Sequence, residues 1–300
     1  MIAQSGSIED RIRTLPCWAG PIYMQPLEGG LSNKSHIVTD AAGKHVVRIG
    51  HDYPFHHVSR KRELMVACAA HAAGFGPKVE YAEPGIMVTA YIKARTYSAH
   101  DVRRNAPRIA AMLRSFHAQM PLHVSGPGSI FWVFHVVRDY ARLLMAAKAR
   151  LANECPYYTE LANEFEAVQV SLPIIFGHND LLPANFMDDG NRLWLIDFEY
   201  AGFGTALFDV AGTATNAAMS RDEATQFVTH YFGAEPAPAL LRAQAAMECA
   251  SLLREAMWSM VSEIHLDTPG VDFEAYTTDN LARLDVAITY YRQAFGNRRK

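Results

Sequence analysis

Residues 174–199 read Ile-Ile-Phe-Gly-His-Asn-Asp-Leu-Leu-Pro-Ala-Asn-Phe-Met-Asp-Asp-Gly-Asn-Arg-Leu-Trp-Leu-Ile-Asp-Phe-Glu. The apolar run Leu172 to Phe176 predicts a short strand that delivers His178, Asn179 and Asp180 to the loop after it. Asn185 follows five residues after Asp180, and Asp197 twelve residues after Asn185. The intervening pattern is a hairpin: Asn185-Phe186-Met187, the turn Asp188-Asp189-Gly190, then an apolar strand from Leu193. Such a hairpin folds Asp197 back toward Asn185, and Pro183 stiffens the loop between Asp180 and Asn185.

Outward from this segment the chain divides in two. Toward the N-terminus, residues 1–20 predict a short amphipathic helix with Ser7 or Asp10 as its cap. Strands are predicted at Ile22 to Leu27, Ser35 to Thr39 and His45 to Ile49, an antiparallel meander turning at Glu28-Gly29-Gly30-Leu31-Ser32-Asn33 and at Asp40-Ala41-Ala42-Gly43. A helix follows over Ser59 to Ala73, stopped by Gly74-Phe75-Gly76-Pro77. Two more strands, Lys78 to Tyr81 and Ile86 to Thr89, flank Glu83-Pro84-Gly85. Beyond Tyr91-Ile92 the residues are mainly helical in spacing. A sheet-rich start and a helical remainder predict an α+β protein of two lobes, 1–92 and 93–300, joined near 90–94.

Bulk properties exclude several classes. The net charge of −3 lacks the basic excess of a nucleic-acid binder. The N-terminus shows neither the basic nor the apolar region of a signal peptide, and no run reaches the ~18–20 apolar residues of a membrane span. The four cysteines never form a C-x-x-C pair. The expectation is a soluble cytoplasmic protein with free thiols.

Asp180, Asn185 and Asp197 fit the three jobs that phosphoryl transfer from ATP requires. One carboxylate orients or accepts the proton of the acceptor hydroxyl, here Asp180. A second carboxylate and a hard amide oxygen hold Mg²⁺ against the phosphates, here Asp197 and Asn185.

The same residues carry a resemblance. His178-Asn179-Asp180 with Asn185 is similar to the H-x-D-x-x-x-x-N catalytic loop of the protein-kinase-like superfamily, and Ile196-Asp197-Phe198-Glu199 stands in the place of its Asp-Phe-Gly motif. The fuller strings, with Tyr200 and Phe208-Asp209, resemble the choline/ethanolamine kinase family, with the aminoglycoside phosphotransferases close behind. The resemblance implies a protein-kinase-like fold with ATP in the cleft. Its phosphates would lie under Gly29, Gly30, Ser32 and Asn33, which match that family's Gly-Gly-Leu-(Ser/Thr)-Asn turn. Arg48, alternating with apolar neighbours, would point into the cleft and steady the phosphates, with Glu63 as its ion-pair partner. Tyr91 and Ile92 would lie along the adenine edge. Lys93-Ala94-Arg95 stands where the family often has glycine, a departure in the hinge. Leu113-Arg114-Ser115-Phe116-His117 matches a helical signature in which His117 is structural, and Asp209 is expected to brace the catalytic loop from a buried position.

For the acceptor, the resemblance implies an aromatic and acidic box for a small amino alcohol, choline or ethanolamine. Tyr200 and Trp258 match walls of that box, and Glu255 faces it one helical turn before Trp258, where some choline kinases have a second tryptophan. Glu199 is assigned to the substrate amine or a second metal. Two rival readings remain open at the level of sequence. One is an aminoglycoside-type phosphotransferase using acids such as Glu248, Glu255, Glu263, Asp267 and Asp272. The other is a catalytically silent nucleotide-binding module of the same fold.

Overall fold

A computed structural model describes residues 7–27 and 34–296. The elements in chain order are α1 (Ile8–Arg13), β1 (Tyr23–Leu27), β2 (Lys34–Thr39), β3 (Lys44–Ile49), α2 (Arg60–Ala72), β4 (Val79–Glu83) and β5 (Ile86–Ala90). They continue with β6 (Arg95–Thr96), α3 (Ala99–Arg104), α4 (Ala106–Gln119), α5 (Val133–Ala146), α6 (Cys155–Glu166), β7 (Ile174–Gly177), β8 (Phe186–Asp188), β9 (Leu193–Leu195) and β10 (Gly202–Thr205). The last four are α7 (Ala206–Asn216), α8 (Arg221–Phe232), α9 (Pro238–His265) and α10 (Phe273–Phe295).

The first part is an antiparallel sheet in the order β1-β2-β3-β5-β4. The expected meander holds for β1 to β3. Then β5, not β4, pairs with β3, and β4 becomes the edge strand. Asp40 fixes the β2–β3 turn by accepting the N–H groups of Ala42 and Gly43. Helix α1 opens with a capping box in which Ser7 and Asp10 satisfy each other's backbone N–H. Its Ile12, with Leu15, packs on Val38, Val47, Ile86 and Val88, the outward face of the sheet. Burying each such side chain stabilises by about 1.5–3 kcal/mol. The alternation that turns Val47 into this outer core turns Arg48 to the opposite face.

Helix α2 contributes little to that outer core. Its Val66, Ala67, Ala69 and Ala70 belong to a second cluster with Phe116, Phe176, Phe186 and Phe198 from the later part of the chain. The largest cluster gathers α5, α6, α7 and α10 around α9, which is buried continuously from Ala243 to Ser262. Two short pairings lie beyond the sequence reading. β6 joins β8, so the chain leaving the sheet at Ala90 is tied to the hairpin after Asn185 within six residues. β10 pairs with β7. No helix among the described residues is long and apolar enough to cross a membrane.

The loop between β3 and α2 presses onto the helical part. Phe55 stacks on His265 with ring centroids 4.4 Å apart. His57 Nε2 lies 2.7 Å from Asp139. His56 is buried between Tyr140 Oη (3.1 Å), Ser262 Oγ (2.9 Å) and the face of Trp258 (5.2 Å). Burial, with the positive charge of Arg254 and the neighbouring His265 and His57, depresses its pKa from 6.5 to about 2. Folded His56 is therefore neutral where an unfolded imidazole protonates. Its contribution to stability is whole above pH 6.5 and is lost progressively below it, by about 1.4 kcal/mol per pH unit. Denaturation midpoints at pH 7.5 and 5.5 should fall less steeply for His56→Gln than for wild type. Identical slopes would remove His56 from the acid response.

Candidate active site

Strand β7 ends in Gly177, where a Cβ would come within 2.9 Å of Asn179 Oδ1 and 3.1 Å of Asp209 Oδ2, so only glycine lets the loop turn there. The next residues are held by one buried carboxylate. Asp209, in the first turn of α7, accepts the backbone N–H groups of His178 and Asn179, both at 2.7 Å, and faces His117 Nε2 at 2.8 Å. Burial alone would raise the pKa of Asp209. The bond and charge of His117, followed by His178, outweigh it and hold the carboxyl below its ordinary value. His117 passes its other ring nitrogen to Tyr231 Oη at 2.7 Å. The expected bracing carboxylate and structural histidine are thus one network.

Asn179 adopts a left-handed backbone (φ +62°) and spends its side-chain amide on Tyr200 O at 3.1 Å. His178 is fully buried, and its Nε2 donates to Ile196 O at 2.9 Å, which fixes the tautomer. Burial lowers its pKa. It is a neutral strut between the loop and the strand that carries Asp197.

The hairpin delivers Asp197 as expected. Phe186 pairs with Leu195, so Ile196 lies opposite Asn185 and donates its N–H to Asn185 O at 3.2 Å. Asn185 gives its Nδ2 to Asp180 O at 2.8 Å, which leaves Oδ1 as the acceptor atom of that amide. Asp197 itself is left-handed (φ +69°), a conformation that re-aims its carboxylate at the end of the strand.

Arg48 reaches this carboxylate from the sheet. Its guanidinium lies 2.6 Å from Glu63, 2.8 Å from Asp197 and 2.9 Å from Glu199. The expected Arg48–Glu63 ion pair is present. Arg60 duplicates it, contacting Glu63 at 2.6 Å and Glu199 at 2.9 Å, and Arg62 donates to Glu199 O at 2.9 Å. Burial would lower the pKa of Arg48, but the carboxylates of Asp197, Glu63 and Glu199 raise it above its ordinary value. A cavity of about 1490 Å³ opens against Arg48, Arg60 and Glu63, with Lys34, Phe55 and Met87 among its other walls. Asp180 and Asp197 do not line it.

A second group surrounds the Asp180 carboxylate. Arg254 Nη1 lies 3.7 Å from Asp180 Oδ1 and 2.5 Å from Glu255 Oε1. Tyr276 Oη donates to Glu255 Oε2 at 3.2 Å. The Arg254 guanidinium sits 4.4 Å over the ring of Tyr200, whose hydroxyl accepts Trp258 Nε1–H at 3.0 Å. Burial pushes the Asp180 carboxyl well above its ordinary value. Arg254 pulls it down, while Glu255, Asp197 and Glu199 push it up again.

Asp180, Asn185 and Asp197 therefore share one loop and hairpin, and Tyr200, Glu255 and Trp258 gather beside Asp180. Glu199 does not join that second group: its carboxylate turns to Arg48 and Arg60. Tyr91 and Ile92 lie where the sheet ends, with Tyr91 N–H on Lys44 O. Gly29, Gly30, Ser32 and Asn33 lie outside the described residues. Sequence reasoning missed Arg60, Arg254, Tyr276 and His56. Arg60 sits one helical turn before Glu63, so charge pairing at that spacing was the available signal for it, whereas nothing local marked Arg254.

The sequence profile described as choline/ethanolamine kinase matches residues 24–230. The chain belongs to the choline/ethanolamine kinase family. A probable ethanolamine kinase from Arabidopsis thaliana is 29% identical over 238 residues, 68% of this chain and 62% of that protein, so the match spans under two thirds of that relative. The crystal structure of a choline/ethanolamine kinase family protein from Mesorhizobium loti is 25% identical, with a TM-score of 0.75 over 96% of this chain and 99% of that one. A solved LicA in complex with AMP shares the fold at 19% identity, with a TM-score of 0.73 over 95% of this chain and 100% of that one. The fold is the kinase-like one, an antiparallel sheet followed by a helical part.

Removing the Asp209 carboxylate strands two buried N–H donors and a buried histidine at once. Asp209→Ala should lower the unfolding free energy by about 3–5 kcal/mol in urea titration, and Asp209→Asn by less. A loss below about 1 kcal/mol would show that the loop is braced elsewhere.

Proposed function

We propose that this family member transfers the γ-phosphoryl group of ATP to the hydroxyl of a small amino alcohol, choline or ethanolamine, in the cleft between the sheet of residues 1–92 and the helical part of 93–300. The observation that carries this reading is the convergence on one braced loop of Asp180, Asn185 and Asp197, met from the sheet by the Arg48–Glu63 pair.

Asp180 acts as the base. It orients the acceptor O–H and takes its proton as the oxygen attacks the γ-phosphorus. The bond to the β–γ bridging oxygen breaks, and ADP leaves with that electron pair. The loop fixes where the Asp180 oxygens stand, because its backbone on either side is bonded to Asp209 and Asn185. Arg48, with its planar fork of donors, steadies the phosphates. Tyr91 and Ile92 border the adenine.

The donor set fits Mg²⁺. No group of three or more His, Cys, Asp or Glu side chains among the described residues forms a metal cage. Mg²⁺ is usually held by one or two protein oxygens together with substrate phosphates and water. Asp197 and the Oδ1 of Asn185 would hold it, and its chemistry there is to neutralise charge on the phosphate oxygens.

Tyr200, Glu255 and Trp258 would receive the ammonium end of the acceptor beside Asp180. Glu199 supports the Arg48 side of the site. Of the acids that an aminoglycoside-type enzyme would draw on, Asp267 and Asp272 are exposed but Glu248 and Glu263 are engaged within the protein. Glu248 is buried against Arg221, and Glu263 is paired with Arg150. Because the reaction draws on ATP, the reading also places the protein in the cytoplasm.

Asp180→Ala and Asp197→Ala should each cut ADP release with choline or ethanolamine by about 10²–10⁴-fold while circular dichroism is retained. Near-normal turnover of folded Asp197→Ala would dismiss the metal assignment.

A further inference from the structure

The aromatic faces that would receive a substrate cation are already engaged by the protein. Arg254 lies over the ring of Tyr200 at 4.4 Å, and His56 stacks on Trp258 at 5.2 Å with the rings 24° apart. Glu255, the carboxylate of the same group, is held by Arg254 at 2.5 Å and by Tyr276 at 3.2 Å. Arg254 is 2% exposed, yet its Nε and Nη2 have no hydrogen-bond partner among the described residues. A buried guanidinium with two N–H-bearing nitrogens unused is costly unless something brings an acceptor oxygen to them.

These features bear on the acceptor itself. A quaternary ammonium carries no N–H and binds through desolvated contact with open aromatic faces. Here it would meet a fixed positive charge on the first of those faces and an imidazole on the second. A primary ammonium is smaller and donates hydrogen bonds, so it can share the oxygens of Glu255 and Asp180. Its hydroxyl oxygen, oriented by Asp180, is then an acceptor within the neighbourhood of the Arg254 guanidinium, whose Nη1 stands 3.7 Å from Asp180 Oδ1.

We propose that Arg254 is a specificity-determining residue that reserves this pocket for an amino alcohol with a primary ammonium and disfavours the trimethylated one. The inference rests on the reading of Asp180, Tyr200, Glu255 and Trp258 as the acceptor pocket, and it selects between the two acceptors that this reading allows. Arg254 acts on binding, so its effect falls on the ratio of kcat/KM values more than on the shared chemical step.

The test is kcat/KM for ethanolamine, its mono- and dimethyl derivatives and choline, measured on the unmodified enzyme, Arg254→Met and Arg254→Lys. The unmodified enzyme should lose efficiency stepwise with each methyl group. Arg254→Met should raise the choline-to-ethanolamine ratio about tenfold, the size of one desolvated cation–π contact. Arg254→Lys keeps the charge and should keep the ethanolamine preference. A rising methylation series in the unmodified enzyme overturns the inference without any variant. So does an unchanged ratio in folded Arg254→Met. ADP release with none of the four alcohols would instead bring down the acceptor reading, and this inference with it.

Discussion

The Arg48 guanidinium is the point at which the separate parts of this molecule meet. It stands on a sheet strand, and its partners come from α2 (Glu63) and from the segment after the β9 hairpin strand (Asp197 and Glu199). The buried Glu63 and Glu199 would be costly alone and become tolerable because one planar cation serves both, and the same cation reaches the partly exposed Asp197. The arrangement also sets a local charge. Arg48 and Arg60 face Glu63, Asp197 and Glu199, so these five side chains carry one net negative charge. That negative charge would attract a cation beside Asp197, which is the electrostatic content of the Mg²⁺ assignment.

Positioning on the other side of the site depends on backbone polar groups. A loop buried between β7 and α7 cannot bond to solvent, so its N–H groups need protein acceptors. Asp209 supplies both oxygens, and His117 with Tyr231 completes the chain of bonds. His178 and Asn179 perform the reverse service by donating to Ile196 O and Tyr200 O. The segment after β9 that carries Asp197 is therefore bonded to the loop carrying Asp180.

Much of this was legible because it is local. The strand–loop–hairpin of residues 174–199 is written in an apolar run, a proline and an Asp-Asp-Gly turn, all within 26 residues. The alternation around Arg48 likewise announced which face it would take. What sequence could not convey was pairing across distance. The place of β5 beside β3 depends on burial across the sheet: β5 (Ile-Met-Val-Thr-Ala) buries two side chains, while β4 (Val-Glu-Tyr-Ala-Glu), with two glutamates, stays at the edge. Pairings of two to four residues, such as β6 with β8 and β10 with β7, carry no periodic signal. Arg254 was invisible for a related reason. One arginine on a long helix reads as solvated surface until the packing of α9 shows it enclosed by Tyr200, Glu255 and Asp180. Glu199 was assigned to the substrate amine or a second metal, but in the turn after β9 its carboxylate meets Arg48 and Arg60, a pairing across distance that nothing local announced.

The two halves of the site share an electrostatic plan. Around Asp197, three carboxylates face two guanidiniums. Around the acceptor side, Asp180 and Glu255 face Arg254. Each group is short of one positive charge when its carboxylates are ionised. The first deficit lies where the phosphates and their metal would sit, and the second where an ammonium would sit. A buried carboxylate with incomplete compensation has its pKa pushed up, as Asp180 and Glu199 both show. A positive charge bound beside either group would lower those values. On the proposed reading, the groups that would attract the metal and the ammonium are the same carboxylates that the reaction would use.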